Sequence, residues 1–550
     1  MPSFLPFASR TITGRDAFAL AIFAIALLYA AAQLSFNVFT LDTWMDEGKY
    51  LMRGYWYVTG TIAPYSDIDP TFYMPLIFYE DGLAQLLFGI GYLPGRVLAV
   101  IFALACFVLV YLVGQRIGRS RLAGAAAVVL AVCSPVTLTY FATATPYAVV
   151  SFLSLLLIFI LYDFKSRRAG YALAGLIMWA ILFTRPNMMP IGLIPAGWAL
   201  LIEPSRKIES AAIAFAAFTI PTTLAFLLFG QRLFDVVLDV PGISHIATAL
   251  GAQAGAYSKI VSSTFSQIDR PVGPGEPRIF FTDFFIKPYF AVACVTVVAI
   301  TLRIMRLMSE SERNPEPMDL ILVYFWIMVV SHFYASLSFC VDCILPYANY
   351  FIPVGALAAA SLLGELSYWP KRSISISSVF SCILLVALAT RVFPDFPALL
   401  RPGNDAVRAR AEELSTKLRP ILPASKMIFV LSEDVAASQA VWLAGGAVEP
   451  ISIYLPFTFR APKPAFSEPE RKRLSNLIWS AGYWDEEGIR HAIAARYSTL
   501  LIERRPTYHD PIASTLHNGM PFGDLVEGYF RLAATVEMRG SAYELYDRRD

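Results

Sequence analysis

The chain reads as a polytopic α-helical membrane protein of about eleven transmembrane helices, at roughly 20 apolar residues each, followed by a C-terminal α/β domain. Three observations predict this. Of 550 residues, 57% are hydrophobic and 16% charged, against about 45–50% and 25% in soluble domains. Apolar runs of membrane-crossing length recur up to residue 392, separated by short Lys/Arg clusters. Beyond residue 394 the apolar runs shrink to strand length and alternate with helical periodicity, the pattern of a small α/β fold.

Taken in order, Arg10 and Arg15 precede the first run, 17–39, which is long enough to cross a hydrocarbon core. Its Tyr-Ala-Ala-Ala stretch imitates a cleavage site, but the apolar run continues past it, so it reads as an uncleaved first span. Residues 75–92 mix apolar side chains with Glu80, Asp81 and Gln85 and read as a helix lying at the interface. Further spans are expected at 96–115, 122–140, 147–164, 169–183, 188–202, 208–229, 288–304, 318–336, 347–366 and 373–392. With the N-terminus inside, the cytoplasmic turns fall on Arg116, Arg119 and Arg121, on Lys165 to Arg168, on Arg206 and Lys207, on Arg303 to Arg313, and on Lys371 and Arg372. Each is basic, as orientation by positive charge requires. The loops 40–95 and 230–288 and the whole of 394–550 then face outward, which in a bacterial inner membrane is the periplasm. At over fifty residues the loop between 230 and 288 is too long for a connector and reads as a lid or binding segment. In the tail, KMIFVL at 426–431 and YSTLLI at 497–502 read as buried strands, 469–481 and 486–496 as helices, and 530–537 with 543–547 as a closing hairpin.

A net charge of +2 gives no ground for a nucleic-acid partner. Of six cysteines, Cys106, Cys133, Cys294 and Cys382 sit in apolar runs, and Cys340 and Cys343 share an outer turn where a disulfide is the expectation. No Cys/His spacing resembles a structural zinc site.

The chemistry concentrates in 41–76, LDTWMDEGKYLMRGYWYVTGTIAPYSDIDPTFYMPL. Asp46 and Glu47 stand just past the first span, and Asp67 and Asp69 follow in a loop with Tyr65 and Tyr73. Acids at a membrane surface are costly to desolvate and ask for a metal, a basic group or a substrate hydroxyl. One carboxylate can serve as general base on an acceptor hydroxyl. Others can hold a divalent cation such as Mg or Mn through oxygen ligands, Asp46 and Glu47 being the candidates. Neighbouring residues point apart on a helix, so the two acids are not expected to share one role.

The order of these features, a first span, then Asp46-Glu47, Gly60, Pro64-Tyr65-Ser66-Asp67, Pro75-Leu76, Gly91 and Arg96 before a second span, with Tyr350-Phe-Ile-Pro353 late in the membrane part, resembles the GT-C glycosyltransferases that use polyprenyl-phosphate sugars. Within that superfamily it is most similar to bacterial protein O-mannosyltransferases and to the aminoarabinose transferases that modify lipid A. The resemblance covers roughly residues 1–393. It implies inverting transfer of a sugar from a polyprenyl-phosphate donor to a glycan, lipid or protein acceptor, with Asp46 as base and basic residues cradling the departing phosphate. The chain departs from the pattern at three places. Tyr73 stands where a phosphate-binding Lys is common, Thr145-Pro146-Tyr147 replaces an acid-bearing turn, and Asn349 replaces an Arg. Donor phosphate then falls to Arg53, Arg185, Arg270, Arg278 or Lys287, with His332 as a further cavity ligand. Two other readings remain open at this stage, a transporter or flippase and a non-catalytic subunit of envelope assembly. The lack of paired internal repeats speaks against transport.

Overall fold

The computed structural model describes residues 13–43, 45–65, 74–164, 167–203, 205–230, 233, 237, 281–286, 289–309, 315–339, 344–368, 406–423, 427–449, 486–495, 497–505, 515–538 and 540–549. Among the described residues, four helices are long and apolar enough to cross a membrane: α1 (Gly14–Thr40), α4 (Tyr92–Ile117), and those at Lys207–Phe229 and Phe290–Met308. Shorter apolar helices lie at Arg121–Val132, Tyr147–Asp163, Arg168–Thr184, Pro186–Ile202, Pro317–Phe333 and Ile352–Glu365. The expected span at 373–392 lies outside the described residues, as do most of the 230–288 loop, the Cys340 and Cys343 pair and the helix expected at 469–481.

Local chemistry accounts for the irregular places. Thr13 and Asp16 form a reciprocal capping box that starts α1. The third expected span breaks after Val132, where Ser134 caps a new short helix, Pro135–Tyr140, with proline in its first turn. From Pro186 to Ile202 the chain passes from 3-10 to α to π geometry, because Pro190 and Pro195 withhold the N–H groups that a regular ladder needs.

Between α1 and α4 the chain forms a helical hairpin, α2 (Met45–Thr59) and α3 (Leu76–Phe88). The two helices touch backbone to backbone. A Cβ on Gly54 would meet the Phe78 carbonyl oxygen at 2.3 Å, and one on Gly82 would meet that of Gly54 at 2.1 Å, so any side chain there would force them apart. Gly89, at φ 96°, then ends α3.

The C-terminal residues build a five-stranded sheet of order β2-β1-β3-β7-β6, from β1 (Met427–Leu431), β2 (Ala447–Val448), β3 (Thr499–Arg504), β6 (Phe530–Met538) and β7 (Ser541–Arg548). The remaining strands, β4 (Leu516–His517) and β5 (Met520–Pro521), form a separate pair. β1 runs parallel to β2 and β3, while β7 is antiparallel to β3 and β6. β1 and β3 are the two unbroken apolar runs, as strands covered on both faces should be. This sheet unit is fastened to the membrane helices where the chemistry-bearing stretch begins. The Asp42 carboxylate accepts from the N–H groups of Val407 and Arg408 at 3.2 and 2.8 Å, capping the helix Ala406–Leu418 from a distant part of the chain. In return Arg408 donates to the carbonyls of Phe39 and Leu41 at the end of α1 (2.7 and 3.3 Å), where a helix dipole favours a cation. Tyr92 donates to Gln439 at 2.6 Å, and its ring meets Trp442 edge-on at 5.4 Å.

Candidate active site

Asp46 begins the first turn of α2, where unpaired N–H groups and the helix dipole suit an anion. Spacing puts Asp46, Lys49, Tyr50 and Arg53 on one stripe of that helix. Lys49 Nζ lies 2.5 Å from Asp46 Oδ1, its side chain only 1% exposed while that of Asp46 is 51% exposed. Asp46 is therefore the solvent-facing member of a stripe whose other residues, Lys49, Tyr50 and Arg53, are buried. Burial pushes its carboxyl up, but Lys49 beside it and Arg185 beyond it pull harder, and the pKa ends below the ordinary value.

Arg185 comes from the far end of the Arg168–Thr184 helix, whose backbone stops there because Pro186 follows. Its Nη1 donates to the Tyr50 hydroxyl at 3.2 Å. The guanidinium lies over the rings of Tyr347 and Tyr350, at 5.1 and 5.7 Å, and Tyr350 packs 4.8 Å from Tyr147. Aromatic faces hold a cation without neutralising it, so Arg185 keeps its charge available to an anion. Two residues on, the Asn187 amide and the His332 Nε2 are 3.2 Å apart, while His332 Nδ1 lies 3.0 Å from the Met328 carbonyl oxygen. His332 also packs against Tyr347 and Phe351, so it buttresses the tyrosine wall behind Arg185.

Glu47 points the other way. Neither Glu47 nor Arg96 is exposed, and their side chains pair bidentately at 2.8 and 2.7 Å. The Ala144 N–H adds a bond to Glu47 Oε1 at 3.0 Å. Arg96 completes its donors on the carbonyls of Val38, Leu41 and Asp42 at 2.9–3.0 Å. The ion pair therefore ties α2, α4 and the end of α1 together, and the catalytic and cation-holding roles expected for Glu47 give way to a positional one.

The other expected residues divide three ways. Arg53 is buried on the Asp46 stripe, 2% exposed. Tyr65, at φ 60°, packs in an apolar cluster with Met74, Phe183, Ala225 and Leu233, a wall position. Asp67, Asp69, Tyr73, Arg270, Arg278 and Lys287 lie outside the described residues. Among the described residues no three His, Cys, Asp or Glu side chains gather in a group suited to a metal, and the two acids expected to hold one are engaged by cations of the chain, Asp46 by Lys49 and Glu47 by Arg96. Lys49, Tyr50 and Tyr347 escaped the sequence reading, and Tyr147 and Tyr350 entered it only as motif positions without a role. The third position after Asp46 carried a signal for Lys49, whereas nothing local linked Arg185 to tyrosines some 160 residues away.

The fold is shared with solved structures of two membrane-associated proteins. The chain aligns with ArnT from Cupriavidus metallidurans, solved bound to undecaprenyl phosphate, at a TM-score of 0.58 and 12% identity, over 96% of this chain and 98% of that one. The apo state of the same protein gives 0.59, at 12% identity over 97% and 98%. It also aligns with the oligosaccharyltransferase AglB of Archaeoglobus fulgidus, solved with an inhibitory peptide and a dolichol-phosphate, at 0.51 and 12% identity over 89% and 73%. No protein-family model matches the sequence, and no curated protein matches it.

Proposed function

We propose that this chain is a membrane enzyme of the GT-C glycosyltransferase type, which moves one sugar from a polyprenyl-phosphate donor to an acceptor hydroxyl, with inversion. The observation that carries this reading is the pairing of one solvent-facing carboxylate, Asp46, with Lys49, and its electrostatic coupling to a second cation, Arg185. In the proposed step the acceptor O–H gives its proton to Asp46 as its oxygen attacks the anomeric carbon from the side opposite the phosphate. The C–O bond to phosphate breaks, and polyprenyl phosphate departs with the electron pair, stabilised by Lys49 and Arg185. Fixed charges aimed at the developing anion are the main source of rate in such a site. In the empty site Lys49 holds Asp46 ionised but weakly basic. An arriving phosphate competes for Lys49 and Arg185, and as they turn to it Asp46 becomes a stronger base. Glu47 and Arg96 hold α2 at the angle this needs. No step is routed through a divalent cation.

The topology proposed with it has eleven spans, the N-terminus in the cytoplasm, and the Asp46 face and the sheet unit in the periplasm of a bacterial inner membrane, because the basic clusters then fall inside. Purified protein with undecaprenyl-phosphate sugars and envelope extracts as acceptor tests the reaction. Asp46→Asn keeps size and removes the base, so transfer drops by about 10²–10⁴-fold in a protein that melts like the wild type. Near-normal transfer by the variant would remove Asp46 from the role. Unchanged envelope glycans and lipids after loss of the chain would sink the whole reading.

A further inference from the structure

A hollow lies between the helices α3 and α4 and the sheet unit. It encloses about 930 Å³, near the upper end of the range for ligand sites. Much of its wall is aliphatic, including Leu83 and Leu87 of α3 and Val97 and Ile101 of α4. Leu87 is 73% and Ile101 57% exposed, so this apolar lining continues onto the outer surface of α3 and of the membrane-length helix α4. Among the described residues, the charged side chains on the wall are Glu80, Arg408 and Glu412.

We propose that this groove seats the hydrocarbon of the acceptor, and that the acceptor is a membrane lipid with an uncharged, hydroxyl-bearing head. The proposal rests on the glycosyl-transfer reading above and names its substrate class. Charge selects this occupant over the donor. Arg408 is engaged by the carbonyls of Phe39 and Leu41 and by Glu412 at 3.7 Å, so the wall offers no spare cation for a phosphate, whereas Lys49 and Arg185 stand beside Asp46. Burial pushes the Glu80 carboxyl up to about 8, so at neutral pH it is mostly protonated and can donate to a hydroxyl. Position agrees. Arg408 follows Val407 in the helix turn that Asp42 caps, four residues before Asp46. Tyr92, also on the wall, holds Gln439, whose Nε2 a Cβ on Gly48 would meet at 2.3 Å. A head group at this end of the groove is therefore beside the first turn of α2.

The test uses the full chain in phosphatidylcholine nanodiscs and three photoreactive probes: diacylglycerol and phosphatidylcholine carrying a diazirine on one acyl chain, and a diazirine-tagged prenyl phosphate. The expected result is diacylglycerol labelling of peptides spanning 83–101, competed by unlabelled diacylglycerol but not by phosphatidylcholine. Leu83→Trp with Val97→Trp should cut that labelling about tenfold, as filling the space of several methylenes requires, and leave prenyl-phosphate labelling unchanged. If the double variant fails to fold, the competition on wild-type protein decides. Equal labelling by phosphatidylcholine without competition means bulk lipid only and overturns the proposal, as does prenyl phosphate in the groove or no labelling there. Because labelling needs no turnover, groove labelling without transfer from any donor would overturn the reaction reading, whereas transfer without groove labelling would overturn the groove alone.

Discussion

Replacing Glu47 by Gln separates position from chemistry within the adjacent acids. The Glu47–Arg96 pair is fully buried and bidentate, and Arg96 also bonds three carbonyls of the α1 end. Taking the charge from one partner strands the other in a place water does not reach, which typically costs about 3–5 kcal/mol. At about 2 °C per kcal/mol, the figure for the larger domains, the melting temperature should fall by roughly 6–10 °C. Arg96→Met should cost a similar amount. The double variant should recover part of the loss, because two isosteric neutral groups strand no charge, giving a coupling of about 0.5–3 kcal/mol. Melting curves of the detergent-purified single and double variants measure all three. Transfer should survive in Glu47→Gln protein below its melting temperature, in contrast to Asp46→Asn. A Glu47→Gln protein that melts with the wild type yet transfers nothing would refute the argument and return Glu47 to the chemistry.

Three further outcomes follow from the site. Lys49→Met removes the largest force holding the Asp46 carboxyl down and leaves burial, which pushes it up, so the acid limb of the pH–rate profile should move to higher pH; an unmoved limb would separate Lys49 from Asp46. Arg185→Met should raise the donor KM about tenfold while the acceptor KM stays within about twofold, and equal effects on both would place the phosphate elsewhere. Glu80, raised from the usual 4.5 to about 8, keeps in the folded state a proton that the unfolded chain loses between those pH values, so wild-type stability falls as pH rises through that window. Glu80→Gln lacks this loss, and its melting temperature should pull ahead of the wild type from about pH 4.5 to pH 8; parallel curves would contradict the raised carboxyl.

Much of the fold was legible because the deciding forces are local or nearly so. A long apolar run such as 17–39 satisfies its backbone within itself and needs no partner to be recognised. The runs KMIFVL and YSTLLI announce buried strands by composition, whereas the expected run 122–140 passed over the break at Ser134, local in cause though it is, where a capping hydroxyl and Pro135 start a new helix. Asp46 and Glu47 were legible as a pair, and the resemblance singled out Asp46, but spacing did not show that Glu47 would be buried against Arg96 while Asp46 stays solvent-facing. Neighbours on a helix diverge by about 100°, and the roll of α2 is set by contacts from elsewhere: Gly54 against α3, Gly48 against Gln439, and Glu47 against Arg96. The same holds for the cations. The sequence offered five candidates for the phosphate without ranking them, since a guanidinium becomes a binding site only through what surrounds it. For Arg185 those surroundings are tyrosines from three distant segments, and the lipid-sized groove is made by helices that only the folded chain sets beside the sheet unit. Apolar length and turn chemistry are properties of short stretches, so the sequence determined them alone; the direction of a side chain and the charge around it depend on every element packed against it, and these the tertiary structure decided.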